Sequence, residues 1–164
     1  MSRTSAVLIM LIDNILHKYV SSIKSDNLSA MLKKYNEESF NKSHKVLLMA
    51  HSQGNLFGNE IYDALGWKQN YFKMVSIATP ASRVADSFAP YTTFKCDEVI
   101  NNWLGSGVGI PGHLPGKMDC IPIGDFDGDN HQLVKYYLPN FNSLSEIMQN
   151  VENQLGKLDA TLSQ

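Results

Sequence analysis

Residues 45–62 read "KVLLMAHSQGNLFGNEIY", an apolar run that stops at one polar corner and gives way at once to helical spacing. Lys45–Ala50, apolar at every position after its lysine, predicts a strand buried on both faces. Such a strand needs covering elements above and below it. Asn55–Leu65 predicts the helix that follows, stopped by Gly66. A buried strand that turns sharply into a helix belongs to an α/β layer built on a parallel sheet, and it pushes the side chain at its corner out of that sheet. Here that side chain is Ser52, in the spacing small-x-Ser-x-Gly with Ala50 at the first small position. A serine held there stands strained above the carboxyl ends of the strands, a geometry that suits a nucleophile better than a helix cap.

The rest of the chain repeats the alternation. Lys73–Ala78 predicts a second strand halted by Thr79-Pro80, and Thr92–Cys96 a third. Met118–Ile123 predicts a fourth, which Pro122 confines to an edge or a strand end. A short helix begins near His131 and closes at Tyr137-Leu138-Pro139. Asn142–Leu158 forms a last amphipathic helix with Leu144, Ile147, Met148, Val151 and Leu155 on one side. Upstream, no glycine precedes Gly54 and no proline precedes Pro80, while Leu8, Leu11, Ile12, Ile15, Leu16, Tyr19 and Ile23 recur at helical spacing. Residues 5–23 therefore predict one helix and 27–40 another, capped by Asp26 or Asn27; a buried strand is the other reading of Ala6–Ile12. The expected fold class is α/β, a parallel sheet of about four strands flanked by helices, in a single domain over 1–164. Within it, 1–44 is a helical segment, 45–139 the core and 142–158 the carboxyl-terminal helix.

Composition narrows the function classes. The chain has 164 residues, 43% of them hydrophobic and 18% charged, enough for one buried core and unlike a disordered chain. A net charge of −2 without a basic cluster argues against nucleic acid as a partner. No apolar run approaches the roughly 20 residues of a transmembrane span. The start, "MSRTSAVLIMLIDNIL", meets Asp13 directly after its apolar stretch and offers no small-residue cleavage site, so it reads as a buried helix and leaves the cytoplasm as the default location. "NNWLGSGVGIPGHLPG", residues 101–116, is either an ordinary surface loop or a cover that brings Trp103, Leu104, Ile110 and Leu114 over a site.

A serine hydroxyl needs a histidine to take its proton and a carboxylate to orient that histidine. Five histidines compete. His17 lies on a helix, His44 at the wrong end of the first strand, and His51 beside the serine but pointing away from it. His113, in the glycine-rich loop, is the second choice. His131 follows the last strand in "GDNHQLVKYYLP", at the carboxyl edge where Ser52 emerges, and is preferred. Asp97 ends the strand "TTFKC" at that same edge, with a solvated strand-end carboxylate as the plainer reading; Glu98 should face the other way. Asp119, Asp125, Asp127 and Asp129 are alternatives close to His131 in sequence. Asp125, Asp127 and Asp129 also match the first acidic positions of a calcium loop, but Asn130 and Tyr136 stand where a glycine and a bidentate glutamate belong, so no metal is expected. Cys96 and Cys120 read by default as buried thiols; a bridge between them would steady the acid loop in an oxidising compartment.

The elbow "VLLMAHSQGN", with "SIATPAS", "TTFKCDEVI" and "NHQLVKYYL" after it, resembles the carboxyl half of a lipase- or esterase-like α/β hydrolase over roughly residues 45–139. The resemblance implies Ser52 as nucleophile, Asp97 as acid, His131 as base and the Gln53 amide as an oxyanion donor. It implies cleavage of carboxylic esters, lipid-like ones included, without a cofactor or metal. The family's strands ahead of the nucleophile strand, and the second oxyanion donor that they carry, have no counterpart before Lys45. The run "KVLLMA" is then an exposed edge on which a homo-oligomer can form. The reading from a different class is a non-catalytic interaction module that keeps the hydrolase core and is completed by a partner chain. An acyltransferase with the same triad would differ only in its acceptor.

Overall fold

The computed structural model describes residues 28–86, 90–102, 109, 112–120 and 130–160. The predicted helix over 5–23, half of the 101–116 loop with Trp103, Leu104 and Ile110, and the acidic turn with Asp125, Asp127 and Asp129 lie outside the described residues. Three parallel strands form the sheet, in the order β1-β2-β3: β1 Val46–His51, β2 Phe72–Ile77 and β3 Tyr91–Thr92. β1 and β2 pair in register from Val46↔Phe72 to His51↔Ile77. β2, in the middle, buries Phe72, Met74, Val75, Ser76 and Ile77, as a strand covered on both faces must.

The crossover from β1 to β2 is helix α2, Gly54–Ala64, followed by a 3-10 turn over Gly66–Tyr71. Gly66 takes the left-handed conformation (φ 56°) that ends the helix. Inside α2, a Cβ at Gly58 would lie 2.6 Å from Met74 Sδ, so the missing side chain lets the helix settle on the sheet. Helix α1, residues 28–38, brings Leu28, Met31, Leu32 and Tyr35 onto a core cluster of Ala50, Ile61, Leu65, Phe72 and Met74, with Tyr35 edge-on to Phe72 at 5.9 Å. On the other side Ile77 joins Phe94, Ile100, Tyr137 and Ile147 in a second cluster. The strand alternation at 72, 74 and 77 thus feeds two cores.

One predicted strand shrinks: the third, expected over Thr92–Cys96, is only Tyr91–Thr92. Of the fourth, expected over Met118–Ile123, residues 121–123 lie outside the described residues, and Met118 bridges Phe94 in parallel. The sheet therefore has three strands among the described residues rather than about four. The cause is visible in the backbone. β2 turns away at Ala78, whose φ of 47° is left-handed, and its last ladder bond is Ala78 N–H to Thr92 O at 2.9 Å. Beyond that point residues 93–95 pair with 117–118 instead, through Lys117 N–H to Thr93 O (2.9 Å) and Lys95 N–H to Met118 O (2.8 Å). Gly116 permits this approach: a Cβ there would meet Phe94 O and Lys95 Cα at 2.8 Å.

Helix α4, Phe141–Ala160, lies against β2 and β3 with a rotation that its apolar pattern does not give. It buries Ser143, Ile147, Asn150, Gln154 and Leu158, while Leu144, Met148 and Leu155 of the predicted apolar side are 38–49% exposed. Polar anchors set that rotation. Asn140 Oδ1 caps the N–H groups of Asn142 and Ser143, Ser143 Oγ donates to the Tyr137 carbonyl, and Asn150 Nδ2 donates to Thr92 Oγ1 at 3.2 Å. Among the described residues β1 has no partner on its outer edge, where Met49 is 49% exposed. A groove of about 510 Å³ runs beside it, walled by Met31, Leu48, His51, Phe57 and Ile61. No helix of the described residues is long and apolar enough to cross a membrane.

Candidate active site

Ser52 occupies the corner between β1 and α2 with φ 53°, left-handed and therefore strained for a residue with a Cβ. Hydrogen bonds hold the corner in place. Ser52 N–H donates to Ile77 O at 3.0 Å, tying the corner to the end of β2. Asn55 Nδ2 donates to both Ser52 O and Ile77 O at 2.9 Å, clamping the same two segments from inside α2. Ala50 is 4% exposed, and a Cβ at Gly54 would stand 3.8 Å from its methyl, an ordinary contact. The space at position 54 thus exists because position 50 is alanine. Gln53 follows Ser52 in helical conformation (φ −55°, ψ −27°), at the head of α2.

Asp97 is not a strand-end carboxylate in water. It caps a one-turn helix, α3 (Glu98–Asn101), by accepting Ile100 N–H on Oδ1 at 3.1 Å, and it is fully buried. That turn exists because Asp97 leaves the helical region (ψ 101°) just after the Phe94–Met118 bridge. His131, immediately before a turn of π-helix over Leu133–Tyr137, reaches back to it. His131 Nδ1 is 3.0 Å from both Asp97 oxygens, and His131 Nε2 is 2.8 Å from Ser52 Oγ. With an ionised Asp97 as acceptor, the proton sits on Nδ1. Nε2 is then left as the acceptor for the serine hydroxyl.

Three predicted residues from separate parts of the chain therefore meet at one edge of the sheet, while four other candidates among the described residues lie elsewhere. His113 bonds Asn101 Oδ1 at 3.1 Å, and His44 is exposed ahead of β1. Glu98 is exposed, and Asp119 pairs with Lys95 at the surface, 2.6 Å apart. His17 lies outside the described residues.

Two participants escape a reading by spacing. Tyr137 is fully buried, and its hydroxyl donates to Asp97 Oδ2 at 2.8 Å while accepting Phe94 N–H at 3.1 Å. Burial, reinforced by the charge of Asp97, pushes that hydroxyl far above the usual tyrosine range, so it remains a donor. His51, set aside in the sequence because its strand position should turn it from the serine, borders the site: its Nε2 is 2.8 Å from His131 O and its ring stands 4.9 Å from that of His131. Burial holds His51 below the ordinary histidine value of 6.5, so the neutral ring donates Nε2–H to that carbonyl. The sequence carries one usable signal for the clamp residue: Asn55, where the elbow "HSQG" runs straight into an asparagine.

The cysteines are not free thiols. Cys96 and Cys120 form a disulfide with Cα atoms 5.9 Å apart, fastening the residue before Asp97 to the segment that pairs with Phe94. No family model, curated protein or solved structure matches this chain.

Proposed function

We propose that this chain is a serine hydrolase that cleaves carboxylic esters, built on an α/β-hydrolase-like sheet. The observation that carries the reading is His131 standing between Ser52 (2.8 Å) and a fully buried Asp97 (3.0 Å). A second support is the strained corner, which holds a hydroxyl where strand gives way to helix.

In this reading, Ser52 Oγ bonds to the ester carbonyl carbon as its hydrogen passes to His131 Nε2, and the carbonyl π pair moves onto oxygen. The Gln53 amide, at the positive end of α2, faces the developing oxyanion; one such donor is worth about 2.7–4 kcal/mol. Collapse breaks the bond to the leaving alkoxide, which takes the proton from Nε2 and departs as the alcohol. Water then repeats the sequence on acyl-Ser52, with Nε2 as base, and releases the acid. Asp97 keeps the imidazole in its Nδ1–H form and balances its charge. An acyltransferase would run the same steps with an alcohol or amine in place of water. The apolar residues of the 101–116 stretch point in the sequence to lipid-like esters among the substrates.

The reading from another class, an interaction module completed by a partner strand or a second copy, draws on the edge of β1 that no described residue pairs and on its apolar groove. One experiment separates the two. The wild-type protein should be labelled by a fluorophosphonate probe and should hydrolyse p-nitrophenyl butyrate, and Ser52→Ala should lose both. A folded, monodisperse wild-type protein that does neither sinks the hydrolase and favours the module.

A further inference from the structure

We infer that Tyr137 is a positioning residue that sets how tightly the Asp97–His131 pair holds its proton; this rests on the hydrolase reading for its kinetic consequence only. A carboxylate removed from water must be solvated by protein donors. Asp97 has Ile100 N–H on Oδ1, the Tyr137 hydroxyl on Oδ2 and His131 Nδ1 between them. The tyrosine hydroxyl is not free to turn elsewhere. It accepts Phe94 N–H, so its one hydrogen is directed at Asp97, and its ring is packed on that of Phe94 with centroids 4.5 Å apart. Tyr137 lies in the π-helical turn that follows His131, while Phe94 lies in the segment that ends at Asp97. The residue therefore joins the segment of the base to the segment of the acid through two hydrogen bonds.

The electrostatic consequence has a definite sign. Each donor on the carboxylate draws off part of its charge and weakens its hold on the imidazolium. Removing the Tyr137 hydroxyl concentrates that charge on His131 and leaves the carboxylate less well solvated. Both effects make the pair bind its proton more tightly. The other titratable group beside the pair among the described residues is His51, whose hold on a proton burial weakens; Lys95 and Asp119 pair with each other at the surface.

The test compares wild type, Tyr137→Phe and Tyr137→3-fluorotyrosine, the last keeping both hydrogen bonds with a more acidic hydroxyl. Two readouts are taken: the pH profile of kcat/KM on p-nitrophenyl butyrate, and titration of the His131 imidazole by ¹⁵N NMR. In Tyr137→Phe both midpoints should rise by about half a pH unit or more, about threefold tighter proton binding, with KM nearly unchanged. In the fluorotyrosine protein they should fall. A purely structural role would lower kcat in either variant without moving the midpoints. Midpoints that stay in place, or that move the same way in both variants, overturn the inference. If Tyr137→Phe does not fold, the fluorotyrosine protein decides alone. The NMR shift needs no turnover: a shift without ester cleavage keeps this inference and removes the hydrolase, and cleavage without a shift does the reverse.

Discussion

Replacing Asp97 by asparagine tests the site with almost no change in volume. The carboxylate serves three donors, Ile100 N–H, Tyr137 O–H and His131 Nδ1–H, all on buried or largely buried groups. Asparagine offers one carbonyl oxygen and an NH₂ group in its place. If the oxygen stays with Ile100, to preserve the cap of α3, the NH₂ faces the Tyr137 hydroxyl and competes with His131 for its place. The tyrosine then loses its acceptor, which for a buried polar group costs about 1–3 kcal/mol. The imidazole loses the charge that held its proton on Nδ1. With the proton on Nε2 instead, the ring cannot accept from Ser52 Oγ, and in triads of this kind the change lowers kcat by about 10⁴-fold. The expected outcome for Asp97→Asn is therefore a urea-unfolding free energy lower by about 1–3 kcal/mol and ester hydrolysis down by about 10³–10⁴-fold. Steady-state hydrolysis of p-nitrophenyl butyrate and urea titration followed by circular dichroism read the two effects. A folded variant that retains more than about a tenth of the wild-type rate refutes the assignment of Asp97, since a tenfold loss is only about 1.4 kcal/mol.

Two further outcomes follow from the surroundings of the site. The Cys96–Cys120 bridge closes a loop across a sequence separation of 24, so Cys96→Ser with Cys120→Ser should lower unfolding free energy by about 3–3.5 kcal/mol on the chain-entropy scale. Equal urea midpoints with and without the bridge would remove its supporting role. His51 makes stability fall with acid: its folded value lies below the ordinary 6.5, so the unfolded chain binds the proton first as pH drops. Its contribution is complete above about pH 6.5 and is lost on going below it. His51→Gln, which keeps a donor toward His131 O, should lose less of its urea midpoint between pH 7.5 and 5.5 than wild type does. An identical loss in the two proteins would contradict the reasoning.

The elbow was legible in the sequence because it is local. An all-apolar run, one small residue on each side of Ser52 and an immediate helical period occur within about 20 consecutive residues, and β1 and α2 fall within a residue of their predicted bounds. Asp97 and His131 were legible as residues at the right edge of a parallel sheet, although the reason given for Asp97 was incomplete. It is a helix cap and not a strand-end residue, and nothing in "TTFKCDEVI" separates those roles until the strand proves to end at Thr92. The third strand is shorter than its spacing predicts because pairing is not local: Ala78 turns β2 aside, which spacing along residues 92–96 cannot report. The face of α4 was misread for a similar reason. Its rotation is decided by Asn140, Ser143 and Asn150 finding partners elsewhere in the fold, and hydrophobic period has no access to those bonds. Tyr137 and His51 act through other residues, so no motif spacing marks them.

The left-handed backbone at position 52 sets heat resistance and chemistry against each other at one residue. Glycine takes that conformation freely, whereas a side chain there forfeits about 1–2 kcal/mol. Selection for survival at high temperature alone would drive the position toward glycine and erase the hydroxyl. Only selection on turnover opposes that drift, so the residue recovered at 52 from a mixed library reports which pressure the population felt.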